Sequence, residues 1–147
     1  MVPTLEDGDR VVVNRLSYQF GDIQRGQVVV FSKPENTVGE NDLIKRIIGL
    51  PGETIRLVDN EVFVDGFRLE EPYLNSPNSS RPRGRIPGCD QRSAMADACV
   101  VPEDHVFVMG DNRLGSSDSR VFGPIPAESI VGRAFLWVWP LSDLGEL

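Results

Sequence analysis

Asp42-Leu-Ile-Lys-Arg-Ile-Ile-Gly-Leu-Pro-Gly-Glu53 sets a lysine inside an apolar run that ends in a glycine-proline turn. At a period of two, Leu43, Lys45 and Ile47 alternate with Ile44, Arg46 and Ile48, so the run reads as a β-strand with one cation on each face. Burial penalises the charged form of an amine, so Lys45 among apolar neighbours has its pKa pushed down and can serve as a neutral base. A strand lysine can equally lay its stem along the sheet and reach water. The residues around this strand separate the two readings.

The flanking segments are short, β-branched and punctuated by turns. Residues 1–9 open with a proline and close with a turn signal, which predicts an extended lead-in. Arg10-Val-Val-Val-Asn14 and Gly26-Gln-Val-Val-Val-Phe31 are too short and valine-rich to favour helix. After the lysine strand, Thr54–Val58, the Asp59-Asn60 turn, Glu61–Val64 and the Asp65-Gly66 turn predict a meander of hairpins. Residues 72–98 carry Pro72, Pro77, Pro82 and Pro87 and read as a long ordered loop outside the core. Strands resume at Cys99–Val101 and His105–Met109, and Ile125–Ile130 reads as a short helical turn. Ile130–Trp139 closes the sheet, with Phe135, Trp137 and Trp139 on one face, either packed in the core or resting at a membrane interface. The fold class is therefore mainly β and antiparallel.

The 147 residues predict one domain, with 40% apolar and 25% charged residues, as in a globular chain. A net charge of −7 and the lack of a basic run interleaved with aromatics argue against nucleic acid as a partner. The longest apolar run, Ala134 to Leu141, falls short of the roughly 18 residues that span a bilayer, and no signal peptide is visible, so the chain as given reads as soluble. Cys89 and Cys99 are too far apart for a redox Cys-x-x-Cys motif, and with His105 they are too few for a four-ligand zinc site. A disulfide, implying an oxidising compartment, and two unpaired buried thiols both fit. Asn78-Ser-Ser80 matches a glycosylation sequon, a pattern common by chance.

Gly110-Asp-Asn-Arg-Leu-Gly-Ser-Ser-Asp-Ser-Arg120 crowds two acids, two arginines and three serines into one loop. That set can satisfy itself when buried, unlike a solvated loop. A serine-histidine-aspartate triad would need His105, which sits in a surface turn entering a strand. The hydrolytic chemistry that remains is a serine activated by a neutral lysine. No metal or other cofactor is expected.

Taken in order, Met1-Val-Pro-Thr-Leu5 with Gly8-Asp9, Gly26–Phe31, Ile44–Gly52 and Gly110–Arg120 resemble the sequence boxes of type I signal peptidase, a membrane-bound Ser/Lys endopeptidase. The Gly132-Arg-Ala-Phe-Leu-Trp-Val-Trp-Pro140 tail fits too, and the cysteine-bearing excursion is most similar to cyanobacterial and plastid members. The resemblance implies an antiparallel β-barrel core, about 1–63 and 107–147, with a smaller inserted β lobe at about 64–106. It implies signal peptides of secretory preproteins as substrates, cut after Ala-x-Ala. The parent would be anchored in a membrane by an N-terminal segment, with the catalytic domain on the periplasmic or thylakoid-lumenal side.

Carried onto this chain, the resemblance makes Lys45 the general base and Ser116 the hydroxyl that orients its amine. Arg46, Asp111, Arg113, Asp118 and Arg120 become a charged cluster that shapes the site. Met1, Leu5, Val11, Val30, Phe31, Asp42, Leu43 and Ile44 become the walls of the substrate pockets. In the family the nucleophilic serine directly precedes the methionine of the first box, so the expectation is a truncated catalytic domain that folds but does not cleave. A non-catalytic scaffold for extended peptides and a self-cleaving Ser/Lys protease resembling the SOS repressors are the alternatives.

Overall fold

A computed structural model describes residues 1–6, 8–14, 23–34, 42–74, 80–81, 84–89, 98–139 and 145–146. Its strands are β1 (Arg10–Asn14), β2 (Val28–Ser32), β3 (Asp42–Gly49), β4 (Thr54–Val58), β5 (Glu61–Val64) and β6 (Phe67–Arg68). Five more follow: β7 (Ala98–Val100), β8 (His105–Met109), β9 (Ile125–Pro126), β10 (Ile130–Trp139) and β11 (Gly145–Glu146). Among the described residues there are also one short helix, α1 (Ser119–Phe122), and a 3₁₀ turn at Ala127–Ser129. Among the described residues, every strand pairing is antiparallel.

The larger sheet runs β1-β10-β2-β3-β8-β9, with β11 added to β10, and the smaller one runs β6-β5-β4-β7. The second sheet therefore takes in β4 and β5 and begins at Thr54. Its hairpins turn where the residue types demand: Asp59 and Asn60 have φ of 50° and 70°, and Asp65 and Gly66 have 50° and 86°. Two successive positive-φ residues match the right-handed twist of flanking strands.

The period-two pattern of β3 and β8 explains how one sheet serves two cores. Ile48, Phe107 and Met109 join Ile55, Leu57, Val62 and Val64 in a cluster between the sheets. Ile47, Val106 and Val108 point the other way, into a cluster with Val29, Phe31 and Ile125. Gly49 lies where β3 crosses β4: a methyl there would sit 2.6 Å from Ile55 Cδ1 and 3.1 Å from Phe107 Cβ.

Three local expectations are corrected. Residues 1–5 are not extended: the Leu5 amide donates to the Met1 carbonyl at 3.0 Å and the Leu5 side chain is buried, so the lead-in folds into a turn. The proline-rich segment is not wholly outside the core. Ser80 and Ile86 are buried, and Tyr73, Leu69 and Cys89 pack on the inter-sheet cluster, because the second sheet leaves apolar surface for this segment to cover. Ile125–Ile130 begins as a strand, since Ile125 pairs with Val106, and only Ala127–Ser129 turns helically. Cys89 and Cys99 are joined as a disulfide. The Trp137 and Trp139 side chains and Asn78 lie outside the described residues.

Candidate active site

Lys45 stands on β3 opposite Val29 of β2. Its Nζ donates to the carbonyl of Ile44 at 3.0 Å, and burial holds its pKa below the ordinary 10.5, against the opposing pull of Asp118 and then Asp111. Each of the two aspartates already holds an arginine. Arg46 Nε reaches Asp111 Oδ1 at 3.0 Å and Nη2 reaches Oδ2 at 2.8 Å. Arg120 Nε and Nη2 reach the two oxygens of Asp118, both at 2.8 Å. Paired charges leave a field in which desolvation of the amine dominates.

The charged residues of the loop from Gly110 to Arg120 are buried and bonded into one network, as its composition anticipates, while Asn112, Leu114, Gly115 and Ser117 are exposed. Asp118 caps α1 through the Arg120 amide and accepts the Gly110 amide at 3.0 Å. Ser119 Oγ accepts the Val108 amide at 2.9 Å, which ties α1 to β8. Arg113 Nε donates to the Gly110 carbonyl at 3.1 Å, and Arg120 Nη2 donates to the Arg113 carbonyl at 2.7 Å. Gly110 is thus held through both its amide and its carbonyl.

Lys45 and Ser116 meet over Gly110. A methyl on Gly110 would come 2.6 Å from Ser116 Cβ and 3.5 Å from Lys45 Cδ, so only glycine leaves room for both side chains. The Ser116 hydroxyl is buried and has no hydrogen-bond partner, and the lysine amine takes the nearer carbonyl of Ile44 instead. The hydroxyl-to-amine bond that the sequence resemblance implies is not formed in this structure, although its two partners are adjacent.

Sequence reasoning missed four residues that complete the cluster. Thr4 Oγ1 donates to Asp111 Oδ2 and accepts from Arg46 Nη2. Glu71 pairs with Arg113, Ser80 Oγ accepts from Arg113 Nη1, and the Tyr73 ring lies 4.0 Å from the Arg46 guanidinium carbon. Burial, then Glu71, pushes the Tyr73 phenol well above its usual range. Burial lowers the Arg113 pKa, but the Glu71 hydrogen bond and charge outweigh it and leave the value raised. Of these, Thr4 alone carried a signal, the first box itself; Glu71, Tyr73 and Ser80 lie in and around a segment whose prolines hid its buried contacts.

Among the expected pocket residues, Phe31 faces Leu43 across the β2–β3 pair, Val30 faces Ile44, and Asp42 faces Ser32. Phe31 and Leu5 are buried, Phe31 with its ring 6.3 Å from that of Phe122, whereas Asp42 is exposed. Val11 lies on β1, with β10 between it and β2. β3 pairs with β2 from Asp42 to Arg46 but with β8 only from Arg46 onward. Among the described residues, no strand occupies the second edge of Asp42–Lys45. An extended peptide can add there, with main-chain bonds for affinity and alternate side chains entering pockets.

The sequence pattern of the family described as "Signal peptidase, peptidase S26" matches residues 1–139. The chain is 39% identical over 152 residues to a protein named signal peptidase I from Leptolyngbya laminosa, covering 100% of this chain and 68% of the relative. It is 38% identical over 147 residues to signal peptidase IB of Staphylococcus aureus, covering 97% of this chain and 75% of the relative. A solved signal peptidase I from Enterococcus faecalis V583 aligns with a TM-score of 0.57 at 32% identity, covering 76% of this chain and 96% of that one.

Proposed function

Since this chain belongs to the signal peptidase family, peptidase S26, we propose that it is the catalytic domain of a Ser/Lys endopeptidase in which Lys45 is the general base. The observation that carries the reading is a desolvated lysine beside two aspartates whose charges are already paired with arginines. Such an amine gives up its proton more readily than an exposed lysine and, once neutral, can take one from a hydroxyl.

In this reading the nucleophile is a serine joined directly before Met1. Its hydroxyl oxygen attacks the scissile carbonyl while Lys45 Nζ takes the hydroxyl proton. The C–N bond then breaks, and the lysine ammonium returns the proton to the leaving amine. Water, deprotonated by the same amine, attacks the acyl-enzyme ester and releases the new carboxyl end. Ser116 and Gly110 confine Lys45, and Asp118 and Arg113 hold the Gly110 backbone without touching the reacting atoms. Donors to the tetrahedral oxyanion would belong to the upstream segment; losing one such donor costs roughly 10²–10³ in rate.

The substrate is the signal peptide of a preprotein, bound as a strand against Asp42–Lys45. Small residues before the cut fit walls built from Ile44, Leu43 and Val30, with Leu5 and Phe31 beneath, consistent with an Ala-x-Ala preference. The division into a core and an inserted lobe, the membrane anchor before Met1 and an extracytoplasmic location belong to the same proposal. The Cys89–Cys99 disulfide supports that location. Among the described residues, no helix is long and apolar enough to cross a membrane.

The test is cleavage of an Ala-x-Ala signal peptide by the 147-residue chain and by the same chain joined to its upstream serine-bearing segment. Activity in the extended form alone, abolished by Lys45→Ala, supports the reading; activity of the shorter chain refutes the assignment of the nucleophile. The free edge of β3 also supports a second reading, a scaffold that binds extended peptides without cutting them. Saturable peptide binding by a folded, extended form that never cleaves would favour it.

A further inference from the structure

The only hydroxyl that reaches both members of the Arg46–Asp111 pair among the described hydrogen bonds belongs to Thr4. It donates to Asp111 Oδ2 and accepts from Arg46 Nη2 at 3.3 Å. We propose that Thr4 is a positioning residue, a clamp that seats the segment entering Met1 on the two walls that hold Lys45; the proposal rests on the peptidase reading above.

The two walls are distinct pieces of chain. Arg46 is the residue after Lys45 on β3, and Asp111 follows Gly110, where a Cβ would lie 3.5 Å from Lys45 Cδ. A hydroxyl that donates to one and accepts from the other is fixed in rotation as well as distance, and both bonds are charge-assisted. The turn closed by the Leu5 amide on the Met1 carbonyl, at 3.0 Å, carries that constraint back to Met1. The buried Leu5 side chain anchors the turn from the other end. A serine joined to Met1 is therefore aimed by a rigid turn bolted beside its base.

The role is positional, not electrostatic. Asp111 keeps both of its bonds to Arg46 without Thr4. The charges facing Lys45, namely Asp118 with Arg120 and Asp111 with Arg46, stay paired when the hydroxyl is removed. Misplacing a reacting group by about 1 Å costs on the order of 100-fold in rate. Removing Thr4 should therefore lower turnover and leave the titration of Lys45 where it was.

Thr4→Val keeps the shape and deletes both bonds, while Thr4→Ser keeps the hydroxyl. In the 147-residue chain, the Leu5 amide should exchange with solvent about tenfold faster in Thr4→Val and at the parent rate in Thr4→Ser. Unchanged exchange in Thr4→Val overturns the clamp whatever the enzymology shows. In the extended peptidase, Thr4→Val should lower kcat by about 100-fold with KM within about twofold and the acid limb of the kcat/KM profile unmoved, and Thr4→Ser should restore most of it. Full activity in Thr4→Val, or an acid limb displaced with the loss, overturns the proposal. An unsubstituted extended chain that fails to cleave, or that cleaves with Lys45→Ala, refutes the peptidase reading instead and leaves the exchange measurement to decide the clamp.

Discussion

Gly110 and Ser116 are in such close contact that the glycine has no room for a Cβ: a methyl there would lie 2.6 Å from Ser116 Cβ, with Lys45 Cδ 3.5 Å away. The glycine backbone is held by Asp118 at its amide and by Arg113 at its carbonyl, so it cannot retreat. An added methyl must displace Ser116, which sits on the loop, before it displaces the sheet. Gly110→Ala is expected to cost about 1–3 kcal/mol of stability by overpacking and about 100-fold in kcat/KM by shifting the lysine's neighbour. Thermal unfolding and peptide cleavage measured together check this; a variant of parent activity would show that the loop yields without consequence.

Ser116 separates stability from activity. Its buried Oγ has no partner, and an unsatisfied buried hydroxyl costs roughly 1–3 kcal/mol. Ser116→Ala should therefore leave Tm unchanged or raise it. If the hydroxyl turns onto Lys45 when substrate is bound, the same variant loses at least about 100-fold in kcat. A fall in Tm would mean that the hydroxyl is bonded in solution, contrary to this structure.

Lys45 gives a signed dependence on pH that needs no substrate. Its pKa in the folded chain lies below the 10.5 of an exposed lysine, chiefly through burial. The folded state then binds fewer protons than the unfolded state between the two values, so stability rises with pH across that window. Below the folded pKa the penalty of the desolvated ammonium is fully present. Lys45→Met should raise the urea midpoint at neutral pH, with the gain shrinking as pH climbs toward 10.5. A gain independent of pH would mean that burial does not perturb the amine.

The strands could be read from the sequence because their signals are local. Arg10–Asn14, Thr54–Val58, Glu61–Val64 and His105–Met109 are strands with the boundaries that alternation and turn residues predict. The dense polar loop after Met109 was legible as a buried network because its acids and arginines match in number. What stayed hidden depends on long-range contact. Glu71 lies 42 residues from Arg113 in the chain, and nothing near either residue announces the pairing. Tyr73 and Ser80 fall beside prolines, whose composition describes backbone conformation and says nothing of what the segment covers. Thr4 was visible as part of a box, yet its two partners come from β3 and from the loop after β8, which only the folded topology brings together.

The Glu71–Arg113 pair joins the second sheet's covering segment to the loop that holds Gly110. Both side chains are almost fully buried, at 8% and 1% exposure, and Arg113 also donates to Ser80 and to the Gly110 carbonyl. Removing one partner of a buried pair leaves an uncompensated charge, at a cost of about 3–5 kcal/mol. Glu71→Gln should therefore destabilise the chain by that order, far more than an exposed pair such as Glu61–Arg68 would on losing its carboxylate. Adding Arg113→Met to Glu71→Gln removes the stranded cation, so the double variant should regain much of the lost stability. The strength of coupling follows from a double-mutant cycle by urea unfolding, and additive losses would show that the two residues act separately. Because Arg113 also holds the Gly110 carbonyl, the double variant should recover stability without recovering cleavage in the extended chain. A double variant that regained both would confine the pair to a structural role.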